Sequence, residues 1–116
     1  MRVEKLKYVI WAKDLDRAVK FYRDVFDAEI LRRSDVITEL TIAGSILSIH
    51  GGGEGKRTWT GLSFQTGDLF AACDLLREAG GLVLREPEDT PEETAHLAMC
   101  ADPEGNEIML TRQRRD

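Results

Sequence analysis

The chain contains two stretches in which apolar side chains recur with the period of an α-helix. After Asp14, and again after Asp68, apolar residues follow the i, i+3, i+4, i+7 spacing of one helix face. The two stripes are Leu15, Ala18, Val19, Tyr22, Val25 and Phe26, and Leu69, Ala72, Cys73, Leu76 and Ala79. An aspartate before such a stripe caps a helix through its side-chain oxygen, and Gly80-Gly81 is typical of a helix end. The pattern therefore predicts two amphipathic helices, with Cys73 in the core.

Short runs with alternating apolar and polar residues surround each predicted helix and indicate β-strands. One strand precedes each helix and three follow it. The following strands are expected at residues 29–33, 37–43 and 46–50, and at residues 82–85, 95–100 and 107–112. Turn residues separate them, as in "AGS" from Ala43 and "DPEGN" from Asp102. Each half of the chain is therefore expected to have the order βαβββ.

The two halves repeat one plan. "KYVIWAKDLDRAVKFYRDVF" from Lys7 matches "GLSFQTGDLFAACDLL" from Gly61, and the shared Asp-Leu pairs are separated by nearly half of the 116-residue chain. Because a repeat of this kind defines the architecture, we expect a single domain over residues 1–116. Its first module is expected over residues 1–52 and its second over residues 58–116.

The glycine-rich stretch "HGGGEGKRT" lies between these modules. A phosphate-binding loop needs G-x-x-x-x-G-K-[ST], but His50 takes the first glycine position and Arg57 the hydroxyl position. An oxyanion loop of the "HGGG" type would need a G-x-S-x-G elbow, and "GLSFQ" ends on Gln65 instead of glycine. With four glycines and no apolar anchor, the stretch is predicted to be a flexible linker.

Composition and charge restrict the class of protein. With 42% hydrophobic and 32% charged residues, the chain is typical of a soluble globular domain. No apolar run approaches the roughly 18 residues of a membrane helix, and "MRVEKLKYVI" lacks a signal-peptide core, so we expect a cytoplasmic protein without a membrane partner. The net charge of −5 argues against a nucleic-acid partner. Cys73 and Cys100 have neither disulfide-framework nor zinc-site spacing, so free thiols are expected.

Two segments within this repeat, "DLDRAVKFYRDVF" and "DPEGNEI", carry a specific likeness. With the paired βαβββ order, the chain resembles the glyoxalase, bleomycin-resistance and extradiol-dioxygenase superfamily, also called vicinal oxygen chelate proteins, over nearly its whole length. The resemblance implies an α+β fold in which each four-stranded sheet curls into a half-barrel. Two half-barrels, from one chain or from two, would face each other around a cleft, and a homodimer is expected.

In metal-bearing members of that family, four side chains hold a divalent ion that chelates two adjacent substrate oxygens. The resemblance places these four positions at Lys7, Ser48, Gly61 and Met109. Hard cations prefer carboxylates and imidazoles, whereas an ammonium repels the ion and a thioether is a soft ligand. Shifting one strand by two residues would replace Ser48 with His50, which adds only a single imidazole. We therefore expect no metal and no other cofactor.

Alternation along the strands sorts side chains into a helix-side set and a cleft set. The helix-side set is expected to be Leu6, Tyr8, Ile10, Leu40, Ile42, Leu47, Ile49, Leu62, Phe64, Leu97, Met99, Ile108 and Leu110. The cleft set is expected to be Lys7, Val9, Trp11, Glu39, Thr41, Ile46, Ser48, His50, Gly61, Ser63, Gln65, His96, Ala98, Cys100, Glu107, Met109 and Thr111. Its ligand-binding candidates are Lys7, Trp11, Glu39, Ser48, His50, Ser63, Gln65, His96 and Met109. Structural roles remain open for these, such as a solvated His50 or a Lys7 that reaches the rim.

Three functions are compatible with these residues. The first is metal-free binding of a small organic molecule, for which a shaped cavity with a few polar groups is sufficient. The second is a lyase, isomerase or dioxygenase that acts next to a carbonyl, with His50 or His96 as general base and Lys7 as electrophile. Such an enzyme could instead use a non-standard metal site of Glu39, Glu107, His50 and His96. The third is a ligand-free accessory module. The sequence favours the first and assigns no catalytic residue.

Overall fold

The computed structural model describes residues 1–114, which form two four-stranded sheets, each covered on one face by one helix. The first module contains β1 (Tyr8–Ala12), α1 (Leu15–Phe26), β2 (Glu29–Arg33), β3 (Ile37–Ile42) and β4 (Ser45–Gly51). The second contains β5 (Thr58–Gln65), α2 (Leu69–Glu78), β6 (Leu82–Arg85), β7 (Leu97–Ala101) and β8 (Asn106–Thr111). The predicted α+β fold with a repeated βαβββ order is confirmed. The last two residues of the predicted second module lie outside the described part of the chain.

The two sheets have the same topology. Their strand orders are β1-β4-β3-β2 and β5-β8-β7-β6, so the first strand of each module lies at one sheet edge beside the last strand. That pair is parallel, and the other pairs are antiparallel. Within residues 1–114 no helix has the length and apolar character needed to span a bilayer.

Both helices begin where the capping aspartates predict. The side chain of Asp14 accepts a hydrogen bond from the Arg17 backbone N–H, and Asp68 accepts one from Ala71 N–H. α2 ends just before Gly80, whose φ of +95° is a left-handed conformation that favours glycine. These local signals fix both helix N-termini and the end of α2.

The molecule is flat, with dimensions of 48 × 35 × 22 Å. A sheet layer and a helix layer each need about 10 Å, so the shortest dimension holds only one of each. The radius of gyration is 14.7 Å, above the roughly 13 Å of a compact chain of this length. The two sheets therefore lie side by side, and each leaves one face uncovered. We call these uncovered surfaces the open faces.

The turn between β7 and β8 links the two modules through buried polar contacts. Asp102 is 3% exposed, and its Oδ1 accepts hydrogen bonds from the backbone N–H groups of Glu104 and Asn106. Its Oδ2 accepts from the Tyr22 hydroxyl at 2.7 Å and from Asn106 Nδ2 at 3.0 Å. Asn106 Nδ2 also donates to the Trp11 carbonyl at 2.9 Å. Because Tyr22 and Trp11 belong to the first module, the "DPEGN" turn holds both modules together.

Glu104 adds a second link between the modules. Its buried carboxylate accepts the Asp14 backbone N–H at 2.8 Å and the Arg17 Nε–H at 2.6 Å. A negative charge at a helix N-terminus is stabilised by the helix dipole. The first helix is thus capped both by its own aspartate and by a carboxylate from the second module.

The buried hydroxyl of Tyr22 predicts an alkaline loss of stability. Burial raises the pKa of Tyr22 well above its usual 10.0, and the Asp102 carboxylate raises it further. Above pH 10 the unfolded tyrosine loses its proton while the folded one keeps it, so stability should fall by about 1.4 kcal/mol per pH unit. Urea unfolding at about pH 9 and about pH 11 measures this slope. Tyr22→Phe should reduce it, whereas Tyr8→Phe should not; equal slopes in both variants would contradict the assignment.

Most of the expected core forms, with two corrections. Ile10, Leu40, Ile49 and Ile108 are at most 2% exposed on the helix-side faces, as predicted. The prediction for Leu6 is wrong, because this residue precedes β1 and is 88% exposed.

The second correction concerns the faces of β7. The ladder places Ala98 and Cys100 opposite core residues of β8, and both are fully buried rather than in the cleft. Leu97 and Met99 lie on the open face instead. The small side chains of Ala98 and Cys100 on the helix-side face leave room for α2, whose Cys73 lies beside Cys100. Both cysteines are free thiols, and burial raises the pKa of Cys100 to about 12.

The linker between the modules is packed against the fold rather than extending freely. The Gly53 N–H donates to the Ala12 carbonyl at 2.9 Å, and the Thr58 N–H donates to the Gly105 carbonyl at 2.9 Å. A Cβ on Gly53 would lie 2.9 Å from the Ala12 nitrogen. Gly53, which the sequence predicted to be part of a flexible linker, is therefore required because a side chain would prevent the close approach of the linker to Ala12.

Candidate functional site

The open face of the first sheet brings together several of the predicted ligand-binding residues. Strand register pairs Trp11 with His50 across β1 and β4, and Glu39 with Ser48 across β3 and β4. Partners directly opposite in a ladder project to the same face. Lys7 directly precedes β1 and reaches the same surface. Lys7, Trp11, Glu39, Ser48 and His50 therefore form one group in the structure.

An ion pair between Lys7 and Glu39 is the most distinctive feature of this group. Lys7 Nζ lies 2.8 Å from Glu39 Oε2, and the side chains are 42% and 10% exposed. Ser48 Oγ donates to the same oxygen at 3.4 Å. The hydrogen bond from Lys7 lowers the pKa of Glu39, and burial opposes this shift. The carboxylate therefore stays ionised and anchors an ammonium that remains accessible from the open face.

His50 and Trp11 form an aromatic wall beside this ion pair. Their ring centroids are 4.2 Å apart, and Trp11 is 52% exposed. His50 Nδ1 contacts the Gly51 carbonyl, which can only accept a hydrogen bond. We infer that Nδ1 carries the proton, which leaves Nε2 of the neutral ring as an acceptor.

The open face of the second sheet carries Ser63, Gln65 and Met109 of the predicted set. Ser63 lies opposite Met109 in the ladder, and Gln65 lies opposite Thr111. The hydroxyls of Ser63 and Thr111 are 3.0 Å apart. Gly61 has a φ of +77° and lies within a register shift of β5, so it supplies neither a side chain nor regular strand geometry. At these positions the surface offers a thioether and neutral polar groups.

His96 is not brought into either group. It precedes β7, and its Nδ1 lies 3.7 Å from Glu93 Oε1. Glu93 is also paired with Arg114 at 2.6 Å, and this partner lowers the pKa of Glu93. The structure therefore places His96 beside the acidic loop that precedes β7, with no link to Lys7 or His50.

Sequence reasoning missed two arginines of the open faces. Arg32 lies opposite Glu39, and Arg85 lies opposite Met99. A register shift immediately precedes each arginine, so strict alternation from the strand start gives the wrong face. The two modules carry similar segments, "ILRR" and "VLRE", at equivalent positions. This match was the signal in the sequence that could have identified Arg32 and Arg85.

The donor groups do not fit a divalent ion. The four positions suggested by the resemblance hold an ammonium paired with Glu39, a hydroxyl, a glycine and a thioether. Within residues 1–114, no group of three or more His, Cys, Asp or Glu side chains is arranged to hold a metal. The alternative set of Glu39, Glu107, His50 and His96 is thus not assembled within the chain.

Two βαβββ modules with open sheet faces define the class of fold, and sequence comparison agrees. The chain belongs to the Glyoxalase/Bleomycin resistance protein/Dioxygenase superfamily, whose family model matches residues 6–110. It is 28% identical over 121 residues to a probable lactoylglutathione lyase from Vibrio cholerae, covering 88% of this chain and 85% of that protein. It is also 28% identical over 128 residues to a probable lactoylglutathione lyase from Synechocystis, covering 96% and 98%. The predicted family resemblance is therefore confirmed.

Solved structures share the same fold. The fosfomycin resistance protein FosX from Listeria monocytogenes superposes with a TM-score of 0.78 at 19% identity, covering 97% of this chain and 95% of that one. A glyoxalase/bleomycin resistance protein/dioxygenase family enzyme from Burkholderia phytofirmans gives 0.76 at 18% identity, covering 91% and 95%. At these identities the similarity concerns the fold alone.

Proposed function

We propose that this protein binds a small organic molecule, without a resident metal ion, in a cleft between the open faces of two protomers in a cytoplasmic homodimer. The Lys7–Glu39 ion pair is the observation that carries this proposal. In the metal-bearing members, the position of Lys7 holds a ligand to the ion. Here a fixed ammonium stands there, and Ser48, Gly61 and Met109 add neither a carboxylate nor an imidazole.

The exposed apolar residues of the open faces support a homodimer. Val9, Trp11 and Trp59 are 46%, 52% and 54% exposed, and all three lie on β1 or β5. Contiguous apolar patches on a surface mark interaction sites, and aromatic residues are enriched in protein–protein interfaces. A second copy that covers these faces would enclose the Lys7 ammonium between the two sheets.

The chemistry of the two faces indicates the ligand class. Trp11 and Met109 provide aromatic and thioether surface, while the Lys7 ammonium provides a donor for a carboxylate or carbonyl oxygen. The best fit is a small, partly apolar molecule with such an oxygen.

A thermal-shift screen of small carboxylates, carbonyl compounds and divalent metals tests this proposal. Compounds that bind the native state raise its apparent melting temperature by mass action. For each hit, Lys7→Met should weaken binding by at least about tenfold, since a charged hydrogen bond contributes about 1.5–3 kcal/mol. Lys56→Met is the matched control, because Lys56 also pairs with a glutamate, Glu54, but on the linker.

Because Lys7→Met leaves Glu39 without its partner, Lys7→Met combined with Glu39→Gln separates lost binding from lost stability. Equal affinity of wild type and both variants for every hit would refute the assigned role of Lys7. A flat response to the whole screen would instead favour a ligand-free accessory module.

An enzyme remains the second candidate, since the relatives named above are probable lactoylglutathione lyases and His50 presents Nε2 as a base. It would remove a proton next to a carbonyl, with Lys7 stabilising the developing negative charge. A lactoylglutathione lyase assay, together with exchange of substrate hydrogen against deuterated water, tests it. Turnover that His50→Ala leaves unchanged would contradict this mechanism.

A further inference from the structure

A groove of about 710 Å³ lies between the modules. It is lined by the end of α1, the first half of α2, the β3–β4 turn and helix-side residues of both sheets, together with Ile46, Ser63 and Gln65 of the open faces. Among its lining residues, Phe26 and Phe64 stack with ring centroids 4.0 Å apart, and Leu75 is 41% exposed. Tyr8 also lines it, at the end of β1 that lies away from the "DPEGN" link. Of the ligand-binding candidates only Ser63 and Gln65 line the groove, and both are polar, so the candidate site does not account for its apolar surface.

The segment that precedes Tyr8 also leaves apolar side chains exposed. Residues 1–7, which we call the arm, contain neither helix nor strand and are exposed throughout. Two apolar side chains of the arm, Val3 and Leu6, are 69% and 88% exposed. No residue of the arm lines the groove of its own chain. The arm therefore exposes apolar side chains directly beside a groove that could bury them.

The charges of the arm and the groove are complementary. Besides Lys7, which pairs with Glu39, the arm carries Arg2 and Lys5 against one carboxylate, Glu4, in a chain whose net charge is −5. The groove carries two carboxylates, Asp27 and Asp68, and no basic residue. Among the described residues, neither aspartate forms an ion pair. A basic, apolar segment is therefore the occupant that this groove fits.

The direction of the arm favours the groove of another molecule. The Lys7–Glu39 ion pair directs the start of the arm towards the open face and away from its own groove, which none of the arm residues lines. The groove itself includes the open-face residues Ser63 and Gln65. Seven extended residues reach about 23 Å, which exceeds the roughly 10 Å between two sheets packed face to face. We propose that the arm of one protomer docks in the inter-module groove of a second copy of this chain, with Val3 and Leu6 against its apolar lining. This exchange goes beyond the proposed function, because a dimer could bind a ligand without it.

Disulfide trapping between two variants, each with one added cysteine, tests the exchange directly. Val3→Cys is mixed with Ala71→Cys, which lies in the groove, or with Asp74→Cys, which is exposed on the same helix but outside it. A disulfide needs Cβ atoms within about 4.5 Å, and both native cysteines are buried. The expected result is a cross-linked species of twice 13.1 kDa, formed at least about tenfold faster with Ala71→Cys.

Two results would overturn the proposal. The first is equal or absent cross-linking in the two mixtures. The second is an intrachain disulfide in the Val3→Cys, Ala71→Cys double variant, which would identify the chain's own arm as the occupant. Removal of residues 1–6 provides an independent readout and should weaken dimerisation by at least about tenfold, or about 1.4 kcal/mol. Unchanged dimerisation would count against arm exchange. Ligand binding at Lys7 is measured in a separate experiment, so the two proposals can fail independently.

Discussion

Replacing Asp102 with alanine is expected to destabilise the chain by about 4 kcal/mol or more. The substitution removes the acceptor of four hydrogen bonds, from the Tyr22 hydroxyl, from Asn106 Nδ2 and from the backbone N–H groups of Glu104 and Asn106, and only Asn106 Nδ2 keeps a second acceptor, the Trp11 carbonyl. Each buried donor without a partner costs about 1–3 kcal/mol, and a domain of this size has about 5–15 kcal/mol in total. Urea unfolding followed by tryptophan fluorescence measures the change.

Asp74→Ala is the matched control for this substitution. Asp74 is an aspartate whose side chain is 75% exposed and pairs with Arg77 on the surface of α2. Exposed pairs contribute about 0–1 kcal/mol. If Asp102→Ala and Asp74→Ala had similar costs, the "DPEGN" turn would not be the link between the modules that the hydrogen bonds indicate.

Trp59→Glu is expected to separate the proposed homodimer into monomers. Trp59 is 54% exposed on the open face of β5, and buried aromatic anchors carry much of the binding energy of interfaces. An unpaired carboxylate in their place should weaken dimerisation by about 100-fold or more. Light scattering over a range of protein concentrations reports the mass.

Phe70→Glu is the corresponding control, because Phe70 is 49% exposed but lies on α2 rather than on an open face. It should leave the dimer intact. A wild-type protein that is monomeric at about 100 µM, well above the micromolar constants of ordinary complexes, would contradict the dimer proposal. A Trp59→Glu variant that dimerises like wild type would do the same.

The sequence predicted the repeated βαβββ order because its signals are local. Asp14 and Asp68 cap helices through contacts three residues away, and the apolar stripe that follows needs no knowledge of the rest of the chain. The same local reasoning could not find the second cap of α1. Glu104 reaches Asp14 from a turn 90 residues later, and no pattern near either residue indicates that contact.

The candidate site could be predicted only in part for a related reason. Alternation placed Glu39 and Ser48 on one face, as their ladder pairing shows. Alternation gave the wrong faces for β7 and missed Arg32 and Arg85. Register shifts depend on packing, and so does the size of the side chains that fit between a sheet and its helix. The ion pair joins Lys7, which precedes β1, to Glu39 on β3, a strand that is not a neighbour of β1 in the sheet, so it became visible only in the folded chain.

Metal analysis of the purified dimer tests the central claim most directly. Elemental analysis by mass spectrometry, before and after incubation with Zn²⁺, Ni²⁺, Mn²⁺ or Fe²⁺ and desalting, gives the bound ions per chain. Because Lys7, Ser48, Gly61 and Met109 supply no carboxylate or imidazole, we predict well under about 0.1 ion per chain in every sample. About one ion per chain that persists through desalting would show that this cleft holds a metal after all.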